Sequence, residues 1–372
     1  MLSIVHVYKD YWPVVGGIEN HVRELAEAEA ALGHAVTVLV TNPGGQQARE
    51  TINGVQVLRA ARLATVASTP LSVTLPFLLA RLKPDITQVH FPYPVGELSQ
   101  WLLGGRRPYF IAYHSDVVKQ QHILRFYNPL LRRVLAGAAG IIAASDNYVQ
   151  SSPYLRPLAH KCTIVPYAVD MERFAGAEPL VARDGRFTLL FMGRHRYYKG
   201  GDDLLRAVAQ LPTDLPVRLL FGGDGPERGV WQQLSHSLCL DDKVQFVGDL
   251  SEAELPRFYA SGDLFVLPAN SRAEAFGKVL QEAMAAGLPC LTTELGTGTS
   301  FVVQDGVTGR VVPPQQPEAL AAAIQQLASQ PELCQKMGQA GQARARQEFG
   351  LTQMVARVQG VYTAVLPQKM GG

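Results

Sequence analysis

The sequence predicts an α/β protein built as two doubly wound parallel-sheet domains facing across a cleft. Three observations lead there. The chain has 372 residues, 47% hydrophobic and 18% charged, which suits a globular enzyme with more core than one domain needs. Short apolar runs alternate with helix-period segments, the signature of parallel strands covered on both faces. That alternation occurs twice, with a change of pattern between the two series.

The first series opens with the apolar run Leu2–Tyr8, followed by a loop rich in aromatics and glycine up to Gly16 and Gly17. Ile18 to Leu32 has helical periodicity, and Gly33 stands where a left-handed cap ends a helix. Ala35–Val40, Ile86–His90, Tyr109–Tyr113 and Gly140–Ala144 are the next buried strands. The pattern changes at Thr163–Val169, and Asp184-Gly185 marks a turn. The second series then runs through Thr188–Met192, Val217–Phe221, Val244–Val247, Leu264–Leu267 and Cys290–Thr293. The hinge is expected between about Pro166 and Arg186, giving domains of residues 1–165 and 166–350. The last helix, from Leu351 within 351–372, carries an apolar stripe suited to packing on either domain, including back on the first.

Charge and cysteine usage narrow the class. A formal net charge of +2 does not suggest nucleic-acid binding. The halves differ: 15 Lys and Arg against 10 Asp and Glu up to Cys162, then 19 against 22. Four scattered cysteines have no metal-like spacing and fit a reducing compartment. No apolar run approaches 18 residues and no secretory signal is evident, so a cytoplasmic protein is expected.

Ala273–Gly287 is the most informative stretch. Glu274 and Glu282 stand eight positions apart, and Phe276, Val279, Leu280, Ala283 and Met284 fall at helical spacing. Eight helical steps span roughly 12 Å, near the length of a diphosphate joining a sugar to a ribose. Carboxylates accept hydroxyl hydrogen bonds, and a loop leaving the carboxyl end of a strand is where open α/β sheets bind ligands. A pair of solvated glutamates would have the same spacing.

Other segments have the same character. Gly193-Arg194 through Lys199-Gly200 lies between a strand end and a helix start, where amides, dipole and cations suit phosphate; a solvated basic turn reads alike. Gly16-Gly17 allows close backbone approach at the opening of a helix, or a plain turn. There is no G-x-G-x-x-G after the first strand, which argues against a nicotinamide oxidoreductase. His114 follows a strand end, suited to a sugar hydroxyl or to a structural role. Gly296–Ser300 offers further amides and hydroxyls.

Together with Val165–Asp170 and Gly222–Glu227, these segments resemble the family-4 retaining glycosyltransferases of group 1, which have the GT-B fold of two Rossmann-like domains. Nearly the whole chain follows the family's order. The resemblance implies that Arg194 and Lys199, with Gly193, hold a donor diphosphate. Glu274 would contact the transferred sugar, with the backbone of Phe276 and Gly277. Glu282 would hold the ribose, Gly16 and Gly17 would approach the phosphate from the first domain, and His114 would sit near the sugar. It further implies front-face displacement, with the leaving diphosphate taking the acceptor's proton and no metal cofactor. Two departures stand out: Tyr167 where the family commonly has asparagine, and Gly296–Ser300 in place of Gly-Gly-x-x-Glu.

The expected partners are a GDP- or UDP-hexose, with mannose favoured, and a glycan or lipid-linked acceptor, in polysaccharide or glycolipid biosynthesis. A basic, apolar-striped helix at Gln121–Leu135 suits either a core-packed position or peripheral contact with the inner face of a membrane, and Pro129 argues against its continuity. The competing readings are a sugar-nucleotide epimerase of the same fold and a non-catalytic nucleotide-sugar-binding subunit.

Overall fold

The computed structural model describes residues 1–14, 16–66, 69–105, 107–117 and 121–366, with only the backbone described at 121–124 and 126. The chain forms two compact units, Met1–Tyr167 with the chain from Leu351, and Ala168–Gly350.

The first unit is an eight-stranded sheet. Its order is Cys162–Ile164, Gly140–Ala143, Tyr109–Tyr113, Ile86–Phe91, Ser3–Val7, Ala35–Asn42, Val55–Ala61 and Ala48–Ile52. Every neighbouring pair is parallel except the last, an antiparallel hairpin in the register Ala48↔Arg59 and Ile52↔Val55. The hairpin was not evident in the sequence because Ala48–Ile52 is an exposed edge without an apolar run. The helix Gly17–Ala31 buries Val22, Leu25 and Ala26, and Gly33 beyond it is left-handed at φ 86°. The last helix, Leu351–Val365, belongs to this unit: Tyr362 packs at a tilt against Phe110, and its hydroxyl donates to Gln88.

Helix Gln121–Gly137 runs continuously through Pro129, contrary to expectation. A proline removes one backbone bond, the one to the Arg125 carbonyl, and both Pro129 and Arg125 are exposed residues. Leu131 and Val134 are buried while Arg125, Arg132 and Arg133 are exposed; the Ile123 side chain lies outside the described residues. No helix among the described residues is long and apolar enough to cross a membrane.

The second unit is a six-stranded, all-parallel sheet in the order Val244–Gly248, Val217–Gly222, Phe187–Met192, Leu264–Leu267, Cys290–Thr293 and Gly309–Val312. Its centre is the apolar set of Leu189, Phe191, Leu219, Phe221, Leu264 and Val266, fully buried between helices. Parallel strands place all their carboxyl ends on one edge, and the loops leaving that edge carry the sites described next.

Candidate functional site

In the second unit, the loop leaving Phe187–Met192 turns at Gly193, whose φ of 141° suits glycine. It continues through a short 3-10 turn, Tyr197–Lys199, into helix Gly201–Ala209. Gly200, at φ 70°, caps that helix, and any Cβ there would overlap the Pro268 carbonyl. The loop is joined to the next one by Asn270, whose backbone N–H donates to the Tyr198 carbonyl at 3.0 Å. Arg194 is exposed and has no ion pair among the described residues. His195 beside it is core, fully buried against Phe191, Phe221 and Trp231.

Lys199 and Glu274 meet at 2.6 Å, each only 8% exposed. Burial works to lower the Lys199 pKa, but the Glu274 charge, Tyr198, the hydrogen bond and Glu282 outweigh it, so the ammonium is held above its ordinary value. A cation kept charged at a strand's carboxyl end beside glycines is a fitting anchor for an anion.

The helical spacing of the two glutamates is overturned. The helix is Lys278–Ala285, and Gly277 at its N-cap has φ 83°, so Glu274 belongs to the preceding loop. A left-handed residue cannot continue an α-helix, and the roughly 12 Å helical rise does not describe this pair. Val279 is only partly buried, whereas Leu280, Ala283 and Met284 form the core face. Glu282 accepts from the buried Tyr259 hydroxyl at 2.8 Å. Burial, then the Glu282 charge, pushes the Tyr259 pKa well up. Phe276 is 3% exposed and closes against Gly298, whose N–H donates to the Ala275 carbonyl at 2.8 Å. The hydroxyl of Thr299 is turned inward, donating to the Thr293 carbonyl.

In the first unit, Gly16 has an extended φ of −172° and caps helix Gly17–Ala31. A Cβ at Gly16 would meet the tip of the Glu19 side chain, which would have to turn aside; Gly17 has open space. Glu19 is itself buried, 3.8 Å from Lys9.

His114 is part of a buried hydrogen-bonded chain. Its Nδ1 is 2.7 Å from the Tyr167 hydroxyl, and its Nε2 is 2.9 Å from His90 Nδ1. His90 Nε2 is 3.1 Å from His6 Nδ1, and His6 Nε2 is 2.7 Å from Glu29 Oε2. Burial drives the His114 pKa down to about 3, and burial then the neighbouring histidines drive His90 well down, so both rings are neutral. A neutral imidazole has one donor and one acceptor nitrogen. With Glu29 accepting from His6, each bond has one proton when His6, His90 and His114 carry theirs on Nε2 alone. Tyr167 then donates to His114 Nδ1, and both nitrogens of His114 are engaged.

His21 packs against His114 and Tyr167, and a ring nitrogen each of His21, His90 and His114 lie within 4.8 Å of one another. His90 Nδ1 and His114 Nε2, at 2.9 Å, have the spacing of a hydrogen bond. Two imidazole nitrogens on one tetrahedral zinc stand about 3.3 Å apart. Glu29, His6, His90 and His21 were missed from the sequence, where Tyr167 stood out only as a departure from the family pattern. The legible signal was a histidine on each of two expected strands and another just past a third, which become neighbours only through the strand order.

Residues 15–173 match the family model described as Glycosyltransferase Family 4, and residues 175–344 match that described as Glycosyl transferases group 1. The chain is 33% identical over 356 residues to D-rhamnosyltransferase WbpZ of Pseudomonas aeruginosa, spanning 94% of this chain and 92% of that protein. It is 31% identical over 377 residues to O-antigen chain mannosyltransferase C of Escherichia coli, spanning 99% and 100%. Among solved structures, sucrose-phosphate synthase from Thermosynechococcus elongatus superposes with a TM-score of 0.80 at 23% identity over 98% of this chain and 99% of that one. HepE of Anabaena, solved with UDP-glucose, gives 0.73 at 19% identity over 98% and 100%.

Proposed function

Because this chain belongs to the group 1 glycosyltransferases of GT-B fold, we propose that it moves a hexose, mannose first, from a nucleoside diphosphate sugar to a glycan or lipid-linked acceptor with retention. The observation that carries the donor site is the buried Lys199–Glu274 pair at 2.6 Å, on adjoining loops at the carboxyl edge of the second sheet. Arriving diphosphate oxygens compete with Glu274 for the Lys199 ammonium and take the exposed Arg194 as a second cation. Glu274, released from part of its pairing, accepts sugar hydroxyls, and Glu282 accepts ribose hydroxyls. Gly193 and Gly277 let backbone approach the ligand.

The chemistry proposed is positioning and charge stabilisation. The bond from the anomeric carbon to the diphosphate breaks, the acceptor oxygen bonds on the same face, and the departing diphosphate takes the acceptor's proton. No metal is required by this scheme. The mannosyl- and rhamnosyltransferase relatives support the lean to mannose and to polysaccharide assembly; the UDP-glucose complex of HepE keeps UDP among the donors.

The test is turnover of GDP-mannose, UDP-glucose and related donors, with and without oligosaccharide acceptor, preceded by a thermal-shift screen of the nucleotides. Acceptor-dependent transfer with an α-linked product from an α-donor is expected. Isomerised sugar from donor alone would instead establish an epimerase, and binding without turnover a non-catalytic subunit.

A further inference from the structure

The first unit has an open depression of about 510 Å³ lined by Trp12, Val14, Asn42, Glu50, Ile52 and Arg59. Its size lies within the roughly 300–1,000 Å³ of small-ligand sites. Three elements build it. Trp12 and Val14 come from the loop after Ser3–Val7, and Asn42 ends the strand Ala35–Asn42. These two strands are parallel neighbours, so both loops emerge at the ligand-binding edge of the sheet. The antiparallel hairpin supplies Glu50 and Ile52 from one strand and Arg59 from the other.

The lining favours one ligand chemistry. Trp12 is 42% exposed, and Arg23 lies over its ring at 4.9 Å. With Val14 and Ile52 it gives the depression a partly exposed apolar side. Arg59, the lining cation, is 7% exposed and already neutralised: its Nε donates to Glu50 at 2.6 Å, and its guanidinium also donates to the Trp12 carbonyl. The Glu50 carboxylate remains 44% exposed at its side chain. The charges of the lining residues, Glu50 and Arg59, therefore cancel, and the nearest further cation, Arg23, is stacked on the Trp12 ring. A flat indole beside an exposed carboxylate suits a neutral sugar: C–H groups lie on the ring while hydroxyls donate to the carboxylate.

We propose that this depression is a subsite for a neutral sugar unit of the acceptor, with Trp12 as the platform and Glu50 as the hydroxyl acceptor. The assignment rests on the transfer reading above and selects the glycan portion of the acceptor, rather than a diphosphate, as what this surface recognises.

Saturation-transfer NMR with mannotriose as probe, and inorganic pyrophosphate as competitor, tests it in the full chain. Saturation should reach mannotriose on the wild-type protein and survive excess pyrophosphate. Trp12→Ala should weaken mannotriose about thirtyfold, as loss of a central aromatic anchor does, while Trp12→Phe keeps most of the binding. Displacement by pyrophosphate, or equal binding by wild type and Trp12→Ala, would overturn the proposal. Since the Trp12 ring is partly exposed, Trp12→Phe also guards against a folding defect. Mannotriose binding at Trp12 without any sugar transfer would leave the subsite standing and remove the transfer reading. Transfer without binding at Trp12 would do the reverse.

Discussion

Lys199 and Glu274 illustrate why a single substitution can mislead. Removing the lysine leaves a carboxylate buried at 8% exposure with its cation gone. Breaking a buried pair from one side costs about 3–5 kcal/mol. Lys199→Ala is therefore expected to lower the unfolding midpoint as well as turnover, and alone it does not separate the two roles. The double variant Lys199→Met with Glu274→Gln should regain most of the stability and none of the transfer rate. Urea unfolding beside an initial-rate assay checks this; transfer near the wild-type rate in the double variant would remove the pair from the donor site. Both residues were picked out by sequence, but their contact was not, because 75 positions separate them.

At the scale of elements, helix Pro94–Leu103 shows how a start can be held by a buried acid. Glu97 is fully buried, accepts from the Tyr93 N–H at 2.6 Å and takes the Tyr127 hydroxyl. Burial raises its pKa to about 7 against those two hydrogen bonds. A carboxyl raised in the folded state stabilises the fold below the unfolded pKa of 4.5, and that contribution is lost as pH rises towards 7. The loss is about 3 kcal/mol for a shift of this size. Glu97→Gln keeps an oxygen acceptor and removes the titration, so the stability of wild type relative to this variant should fall by about that amount between pH 4.5 and 7.5. Parallel pH profiles in denaturant unfolding would contradict it. Nothing in the local sequence distinguishes Glu97 from a solvated first-turn glutamate; Tyr127, on a different helix, makes the difference.

For the whole molecule, the C-terminal helix decides how the first unit is completed. Leu351–Val365 buries Val358 and Tyr362, with Tyr362 against Phe110 and its hydroxyl on Gln88. Gln88 lies in the same strand as His90 of the histidine chain. Ending the chain after Gly350 removes these contacts, each large buried side chain contributing about 1.5–3 kcal/mol. The expected result is a first unit that unfolds at lower denaturant than in the full chain, with early hydrogen exchange in Tyr109–Tyr113. Unchanged protection of that strand after truncation would show that the helix is dispensable.

Sequence alone determined the α/β class, the central strands of both sheets, and the residue types at the donor-type loops. These features are local: apolar runs, a glycine at a strand end, a cation before a helix. It did not determine the edge hairpin Ala48–Ile52 with Val55–Ala61, whose outer strand is exposed and lacks an apolar period. It placed Glu274 in the loop after a strand but measured its distance to Glu282 as a helical rise, whereas the helix begins only after left-handed Gly277. Only the tertiary structure joined Lys199 to Glu274, aligned Glu29, His6, His90, His114 and Tyr167, and gathered Trp12, Glu50 and Arg59 around one depression. Each of these sets draws on separate strands or loops, so it exists only once strand order and register bring distant side chains within hydrogen-bond reach.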